Sequence, residues 1–227
     1  MKIHRFYTPD IVLDQDCWIQ QPEQLHQWNK VLRFRPGQQV VLFDGVEHDR
    51  LYEITEIGPK EAHLKHITDY KRQLPKKDLY LFWSLLKKDK NDWVLQKCSE
   101  LGVSHFIPLI ADRSEKTGFN HQRAEKIIIE AAEQCGRSDI PSVREPLPVK
   151  AAIEQYKDKI QLYICEQDSE GAKLSEGPQG VLIGPEGGWS GSEKELFNNL
   201  SVAHLNIHDF TLRAETAAVT SIVRLLQ

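Results

Sequence analysis

No two of the four cysteines form a C-x-x-C pair: Cys17, Cys98, Cys135 and Cys165 are scattered over 227 residues. Such spacing, without a secretion signal, argues against a disulfide framework and reads as reduced thiols. The nine histidines suggest no metal site. No apolar run approaches the roughly 20 residues needed to cross a bilayer. The opening "MKIHRFYTPD" lacks the apolar core of a signal peptide, so a cytosolic protein is expected, with no membrane partner. A strong charge is missing as well. The net charge of −4 argues against non-specific coating of nucleic acid. It conceals a small asymmetry, since residues 1–77 carry 12 Lys and Arg against 11 Asp and Glu, and residues 78–227 carry 17 against 22.

What is present falls into two patterns. In the first third, "QQVVLFDG" (38–45), "LYEITEIG" (51–58) and "EAHLKHI" (61–67) read as strands, punctuated by turns at Asp44-Gly45 and Gly58-Pro59. Before them, "PEQLHQWNKVLRFRPGQ" reads as a short helix stopped by Pro36-Gly37. A small β-barrel domain is expected over residues 1–72. The polar stretch "DYKRQLPKKD" (69–78), broken by Pro75, is the best linker. From residue 73 to 227, strand-like and helix-like segments alternate. "LYLFWSLL", "HFIPLIA", "IQLYICE", "QGVLIG" and "VAHLNIH" read as strands. "KNDWVLQKCSELGV", "NHQRAEKIIIEAAEQCGR", "VKAAIEQYKDK" and a last segment from about Arg213 read as helices. This alternation predicts an α/β domain with a parallel sheet covered by helices.

One loop stands out, "VLIGPEGGWSGSEKELF" (181–197). It follows an apolar strand, at the carboxyl end where open α/β sheets bind ligands. Gly187 and Gly188 can take positive φ and admit a ligand close to the backbone, while Pro185 fixes φ and lowers the entropy of a shaped loop. Ser190 and Glu193 fit a capping box, so a helix starts here. The loop lacks the Gly-Lys-Ser/Thr of a Walker A motif and is not G-x-G-x-x-G, which leaves connector and ligand loop both open. A second segment, "FTLRAETAAVTSIVRLL" (210–226), places Arg213 at a helix N-terminus, against the helix dipole. That placement suits an anionic partner or substrate; the plainer reading is a surface pair with Glu215 or Glu186.

"LIGPEGGWSGSE" and "LRAETA" together resemble the RsmE family of SPOUT methyltransferases, the 16S rRNA (uracil-N3)-methyltransferases. "HRFY", "HQWNKVLRFRPGQQVVLFDG", "WVLQKCSELGVSHFIPLIADRS" and "EAAEQCGRSDIPSV" resemble family segments in the same order. The resemblance implies a PUA-like RNA-binding β-barrel followed by a SPOUT domain with a C-terminal trefoil knot. It implies a homodimer that binds S-adenosyl-L-methionine and modifies 16S rRNA in the small ribosomal subunit. By the same resemblance, Ile183, Gly184, Pro185, Glu186, Gly187 and Gly188 contact the cofactor, as do Ile207, Leu212, Thr216 and Ala217. Where family members usually read LG-x-RILR, this chain has Ile207-His208-Asp209-Phe210-Thr211-Leu212-Arg213, so His208 and Phe210 replace a glycine and an arginine.

Methylation at N3 requires loss of a proton and stabilisation of a uracil anion. Arg213 is the candidate for that anion or for an RNA phosphate, and Glu186 or Glu215 for taking the proton or orienting Arg213. Candidate RNA contacts are His4, Arg5, Arg33, Arg35, Lys87, Lys88, Lys90 and Arg137, each of which also reads as an ordinary solvated charge. Two other readings stay open: a SPOUT enzyme methylating another atom, such as a ribose 2′-oxygen, and a non-enzymatic rRNA-binding assembly protein.

Overall fold

The structure, a computed structural model, describes residues 3–115, 118–165, 173–200 and 202–227, with Lys88 described in its backbone alone. The chain divides into two compact units, one running to Leu74 and including Ala132–Ile140, the other comprising Pro75–Ala131 and Pro141–Gln227.

The first unit is built on a five-stranded sheet. Its strands are β1 (His4–Tyr7), β2 (Asp16–Ile19), β3 (Gln39–Phe43), β4 (Asp49–Ile57) and β5 (Ala62–Asp69), in the order β1-β3-β4-β5-β2. All pairings are antiparallel except β1 with β3. The expected turns close the hairpins. The Asp44 carboxylate accepts the backbone N–H groups of Val46, Glu47 and His48 at 2.8–3.0 Å, and Gly45 takes φ +82°. Helix α1 (Pro22–His26) continues as a π-helical segment, Gln27–Leu32. This run ends earlier than Pro36-Gly37, at Arg33, whose φ of +55° puts it in the left-handed region while the Phe34 N–H bonds back to the Trp28 carbonyl. Trp28, Phe6 and Phe34 then pack with Val40, Leu42, Tyr52, Ile54 and Leu64 as the core.

The unit also contains a buried ion pair. Arg5 donates to the fully buried Asp49 carboxylate, lies over the Phe43 ring at 5.0 Å, and reaches the Arg137 carbonyl at 3.4 Å. The Ser138 hydroxyl donates to the same carboxylate at 2.6 Å. Asp49 is therefore held by groups from both sequence segments of the unit, which satisfies a charge that burial alone would disfavour.

The second unit carries a wholly parallel sheet. Its strands are β6 (Leu79–Ser84), β7 (His105–Ile110), β8 (Ser142–Val143), β9 (Leu147–Pro148), β10 (Gln161–Cys165), β11 (Gln179–Ile183) and β12 (Ala203–Leu205). Their order is β12-β10-β11-β6-β7-β8, with β9 also on β7. Pro108 is tolerated within β7 because β8 pairs at residues 105–106 and β9 at 109–110, leaving a gap on that edge. Every residue of β11 is buried, as its near-continuous apolar sequence requires in a central parallel strand. Gly180 is needed there, since a Cβ would lie 2.7 Å from the Phe82 ring.

Helices α2 (Lys88–Glu100), α3 (His121–Cys135), α4 (Val149–Tyr156), α5 (Gly191–Asn199) and α6 (Ala214–Leu226) follow the predicted segments. Gly102 and Gly136, at φ +93° and +87°, lie just beyond α2 and α3. One core layer joins Phe82, Ile107, Leu109, Leu162, Ile164 and Leu182 to α4 and to Trp189 and Phe197. Helix α6 packs against β6, β11 and α2. Among the described residues, no helix is long and apolar enough to cross a membrane.

Candidate functional site

The loop after β11 is shaped by its own backbone. The Gly188 N–H donates to the Pro185 carbonyl at 2.8 Å, closing a turn over Glu186 and Gly187. Gly188 takes φ +67°, and Gly187 does not adopt positive φ. Gly187 is small for another reason: a Cβ there would sit 3.3 Å from Arg113 Cβ, and its carbonyl accepts from the Arg113 guanidinium at 3.0 Å. Gly184 faces the Trp189 indole, which a Cβ would approach to 3.1 Å. The Ser84 hydroxyl donates to the buried Ile183 carbonyl at 3.0 Å, fixing the last residue of β11.

The capping box forms as its sequence indicates. The Ser190 hydroxyl accepts the Glu193 N–H, and the Glu193 carboxylate accepts the Ser190 N–H at 2.7 Å. The same groups anchor the loop after β7. Glu193 accepts the Asp112 N–H at 3.0 Å, while Ser190 and Ser192 hydroxyls donate to the Asp112 carboxylate at 2.5 and 3.0 Å. These donors, Ser190 foremost, hold the Asp112 carboxyl below its ordinary range.

A cleft of about 530 Å³ opens beside this loop. It is lined by Ile183, Gly184, Pro185, Glu186, Gly188, Trp189, Ile207, His208, Phe210, Leu212, Arg213 and Ala217, together with Cys165, Lys194, Thr211 and Ala214. Thus the GPEGG loop and the start of α6, some two dozen residues apart in sequence, meet on one cavity at the carboxyl end of β11. Cys165 closes part of the wall, its thiol 2.9 Å from the Ser221 hydroxyl and pushed up to about 11 by burial. His208 accepts the Phe210 N–H at its Nδ1, 3.0 Å away, so the two residues that depart from the family pattern form one local turn on the rim.

Three predicted residues lie off the cleft lining. Gly187 faces Arg113, Thr216 is exposed on α6, and Glu215 turns towards α2. Sequence reasoning missed where Glu215 goes. Lys90 Nζ lies 3.2 Å from Glu186 Oε1 and 3.3 Å from Glu215 Oε2, bridging both carboxylates. The Glu186 hydrogen bond, then Glu215, raises the Lys90 ammonium pKa above its ordinary value. Arg213 is the exposed N-cap residue of α6 and, among the described residues, forms no ion pair with Glu186 or Glu215. The surface pair that its sequence neighbours suggested is replaced by Lys90.

The basic residues proposed for RNA separate by burial. Arg5 and Arg137 are corrections: Arg5 serves Asp49, and Arg137, only 6% exposed, pairs with Asp139 at 2.6 Å. Guanidiniums held inside the first unit in this way are structural. His4, Arg33 and Arg35 are exposed on that unit, the His4 ring 5.5 Å from that of Phe34. Lys87 is exposed at the N-cap of α2; the Lys88 side chain lies outside the described residues. His204 and His208 stand four apart, a spacing that on a helix would suit a metal, but one is on β12 and the other in the loop beyond it. Among the described residues no group of three His, Cys, Asp or Glu could hold a metal ion.

Comparison with known proteins agrees with this geometry. An RNA methyltransferase domain family matches residues 72–226, and an RNA methyltransferase PUA domain family matches residues 30–66. A ribosomal RNA small subunit methyltransferase E from Aquifex aeolicus is 30% identical, covering 80% of this chain and 83% of that protein. A putative methyltransferase from Legionella pneumophila, solved with bound cofactor SAM, superposes with a TM-score of 0.90 at 27% identity, over 99% of this chain and 97% of that one. A ribosomal RNA small subunit methyltransferase E from Neisseria gonorrhoeae, bound to S-adenosyl methionine, gives 0.87 at 25% identity, over the same shares of the two chains.

Proposed function

The chain belongs to the RNA methyltransferase family that includes ribosomal RNA small subunit methyltransferase E, and from this we propose that it methylates N3 of a specific uridine in 16S rRNA, using S-adenosyl-L-methionine. The observation that carries the reading is the meeting of the GPEGG loop and the α6 N-terminus on one cleft at the end of β11. The cleft fits such a cofactor. Its volume lies in the range of small-molecule sites, with apolar walls from Ile183, Trp189 and Ala217 and polar backbone at the loop.

Ile183, Gly184, Pro185, Glu186 and Gly188, with Ile207, Leu212 and Ala217, hold the cofactor; Gly187 shapes the turn. When bound, S-adenosylmethionine supplies a methyl group on a sulfonium, which is electrophilic. The chain's task is to make N3 of uracil a nucleophile. Glu186, on the cleft, takes the N3 proton, and Arg213 offsets the negative charge left on the ring. Because N3 lies on the pairing edge, the uridine is read unpaired or flipped out. His4, Arg33, Arg35 and Lys87 contact RNA phosphates, which position the substrate without reading its sequence.

The finer architecture belongs to the same reading. The first unit, taken as residues 1–72, is a PUA-like barrel; residues 73–227 form a SPOUT domain with a C-terminal trefoil knot. The knot rests on the family resemblance of the GPEGG and LRAETA segments. Trp93, Val223 and Leu226, apolar and 38–42% exposed on α2 and α6, support a homodimer. The protein acts in the cytoplasm, on the small subunit.

Nucleoside mass spectrometry and primer extension on small-subunit rRNA, from cells with and without this protein, test the reading. A 3-methyluridine that disappears with the protein is the expected result. A lost ribose 2′-O-methyl group would replace the base-methylation reading, and calorimetry without S-adenosylmethionine binding would remove the enzyme reading altogether.

A further inference from the structure

Lys90 stands in the first turn of α2, a position where a cation opposes the helix dipole. Two carboxylates from other elements offset that disadvantage: Glu186 from the loop after β11 and Glu215 from the first turn of α6, both within 3.3 Å of the same nitrogen. The ammonium is a compact charge with three donors, able to serve two acids at once.

The competing partner for those acids is Arg213. It is two residues from Glu215 and shares the cleft with Glu186. A guanidinium beside a carboxylate forms strong, often two-pronged hydrogen bonds. An Arg213 held in that way would have fewer donors to offer a substrate anion. Its exposed side chain instead lies by the cleft while Lys90 occupies both acids. The Lys90–Glu186 pair is partly solvent-exposed and such pairs contribute little to stability, so anchoring the fold is a poor account of that arm of the bridge.

We propose that Lys90 is a positioning residue of the methyltransferase site, whose ammonium holds Glu186 and Glu215 together and thereby keeps Arg213 available to the substrate. The proposal rests on the functional reading above and reassigns Lys90 from the RNA-binding set. Lys90 does not line the cleft and meets neither cofactor nor uracil; it acts through Glu186, Glu215 and Arg213.

The test compares wild type with Lys90→Met, Lys90→Arg and Lys90→Gln, the last giving the same comparison should the Met variant not fold. In the free protein, a crystal structure of Lys90→Met shows the Arg213 guanidinium within hydrogen-bond distance of Glu186 or Glu215, whereas in wild type Lys90 occupies both acids. Methyl transfer to small subunits falls about tenfold or more through kcat, as misplacement of catalytic groups does. The melting temperature and the salt dependence of subunit binding stay near wild type, and Lys90→Arg recovers most of the rate. An Arg213 that forms no bond to either acid in Lys90→Met overturns the proposal. So does weaker subunit binding with a shallower salt dependence at undiminished kcat, which makes Lys90 a phosphate contact. Should wild type methylate no uridine, the functional reading fails, while the place of Arg213 in the Lys90→Met structure still decides whether Lys90 keeps it off the two acids.

Discussion

Gly184 and Trp189 are matched to each other: the glycine lies against the indole, and a Cβ at position 184 would come 3.1 Å from Trp189 Cε2. Trp189 is itself pinned by an edge-on contact with Phe197, ring centroids 5.0 Å apart, so it has little room to retreat. Gly184→Ala therefore pushes the ring towards the cleft that both residues line. Overpacking of this kind costs about 1–3 kcal/mol. Taken from cofactor binding, that is roughly a tenfold to hundredfold weaker affinity for S-adenosylmethionine. Titration calorimetry on the variant checks it; unchanged affinity would show that the cofactor does not depend on this wall.

Arg213 caps α6 without a side-chain capping bond. Its removal should leave the helix in place, because the backbone continues to accept the Ala217 N–H at 2.8 Å through the Arg213 carbonyl. Arg213→Ala is expected to lower methyl transfer by about 10²–10³, the usual loss on deleting one preorganised donor to a developing anion. Circular dichroism and S-adenosylmethionine affinity should remain close to wild type. A tritiated-methyl assay on small subunits reads the rate, and full activity would take Arg213 out of the mechanism.

Local chemistry made much of this site legible in advance. The Ser190–Glu193 box and the Pro185–Gly188 turn each span four residues, so short-range rules carry them. Strand–helix alternation likewise gave the α/β layer after residue 73. The bridge from Lys90 to Glu186 joins residues 96 apart, and no periodicity encodes which cation meets which acid across that distance. Arg5 illustrates the same limit from the other side. Next to His4 at the start of the chain it reads as a surface cation, yet its partner, Asp49, is 44 residues away and fully buried. The strand holding Arg5, β1, is only four residues long and pairs in parallel with β3, so it lacks a hairpin turn to announce it.

The Arg5–Asp49 pair gives a stability prediction in the first unit. Asp49→Ala removes the acceptor of Arg5 and Ser138 and leaves a guanidinium that is only 9% exposed without its partner. Breaking one side of a buried pair costs about 3–5 kcal/mol. Urea denaturation should show a loss of that order, and replacing Arg5 by Met in the same chain should recover part of it, since the more buried of the two guanidiniums that lose Asp49, Arg5 and Arg72, then disappears. Additive losses in the double variant would contradict a shared pair.

Asp112 makes the matching prediction for pH. Hydrogen bonds from Ser190 and then Ser192 lower its folded pKa below the ordinary 3.8. A carboxyl depressed on folding contributes stability that is complete above its unfolded value and lost as pH falls through the folded one. The contribution is therefore present at neutral pH and declines only below about pH 3.8. Asp112→Asn removes it at every pH, because the amide carries no charge to stabilise. Denaturation curves for wild type and Asp112→Asn should accordingly differ at pH 7 and converge in the acid range. Ser190→Ala removes the hydroxyl from both Asp112 and the cap of α5, and costs about 1 kcal/mol through the cap alone. Since that hydroxyl is also the foremost cause of the Asp112 shift, the Ser190→Ala variant should lose part of the acid-range slope as well. A slope unchanged by either substitution would mean that the acid response arises elsewhere in the chain.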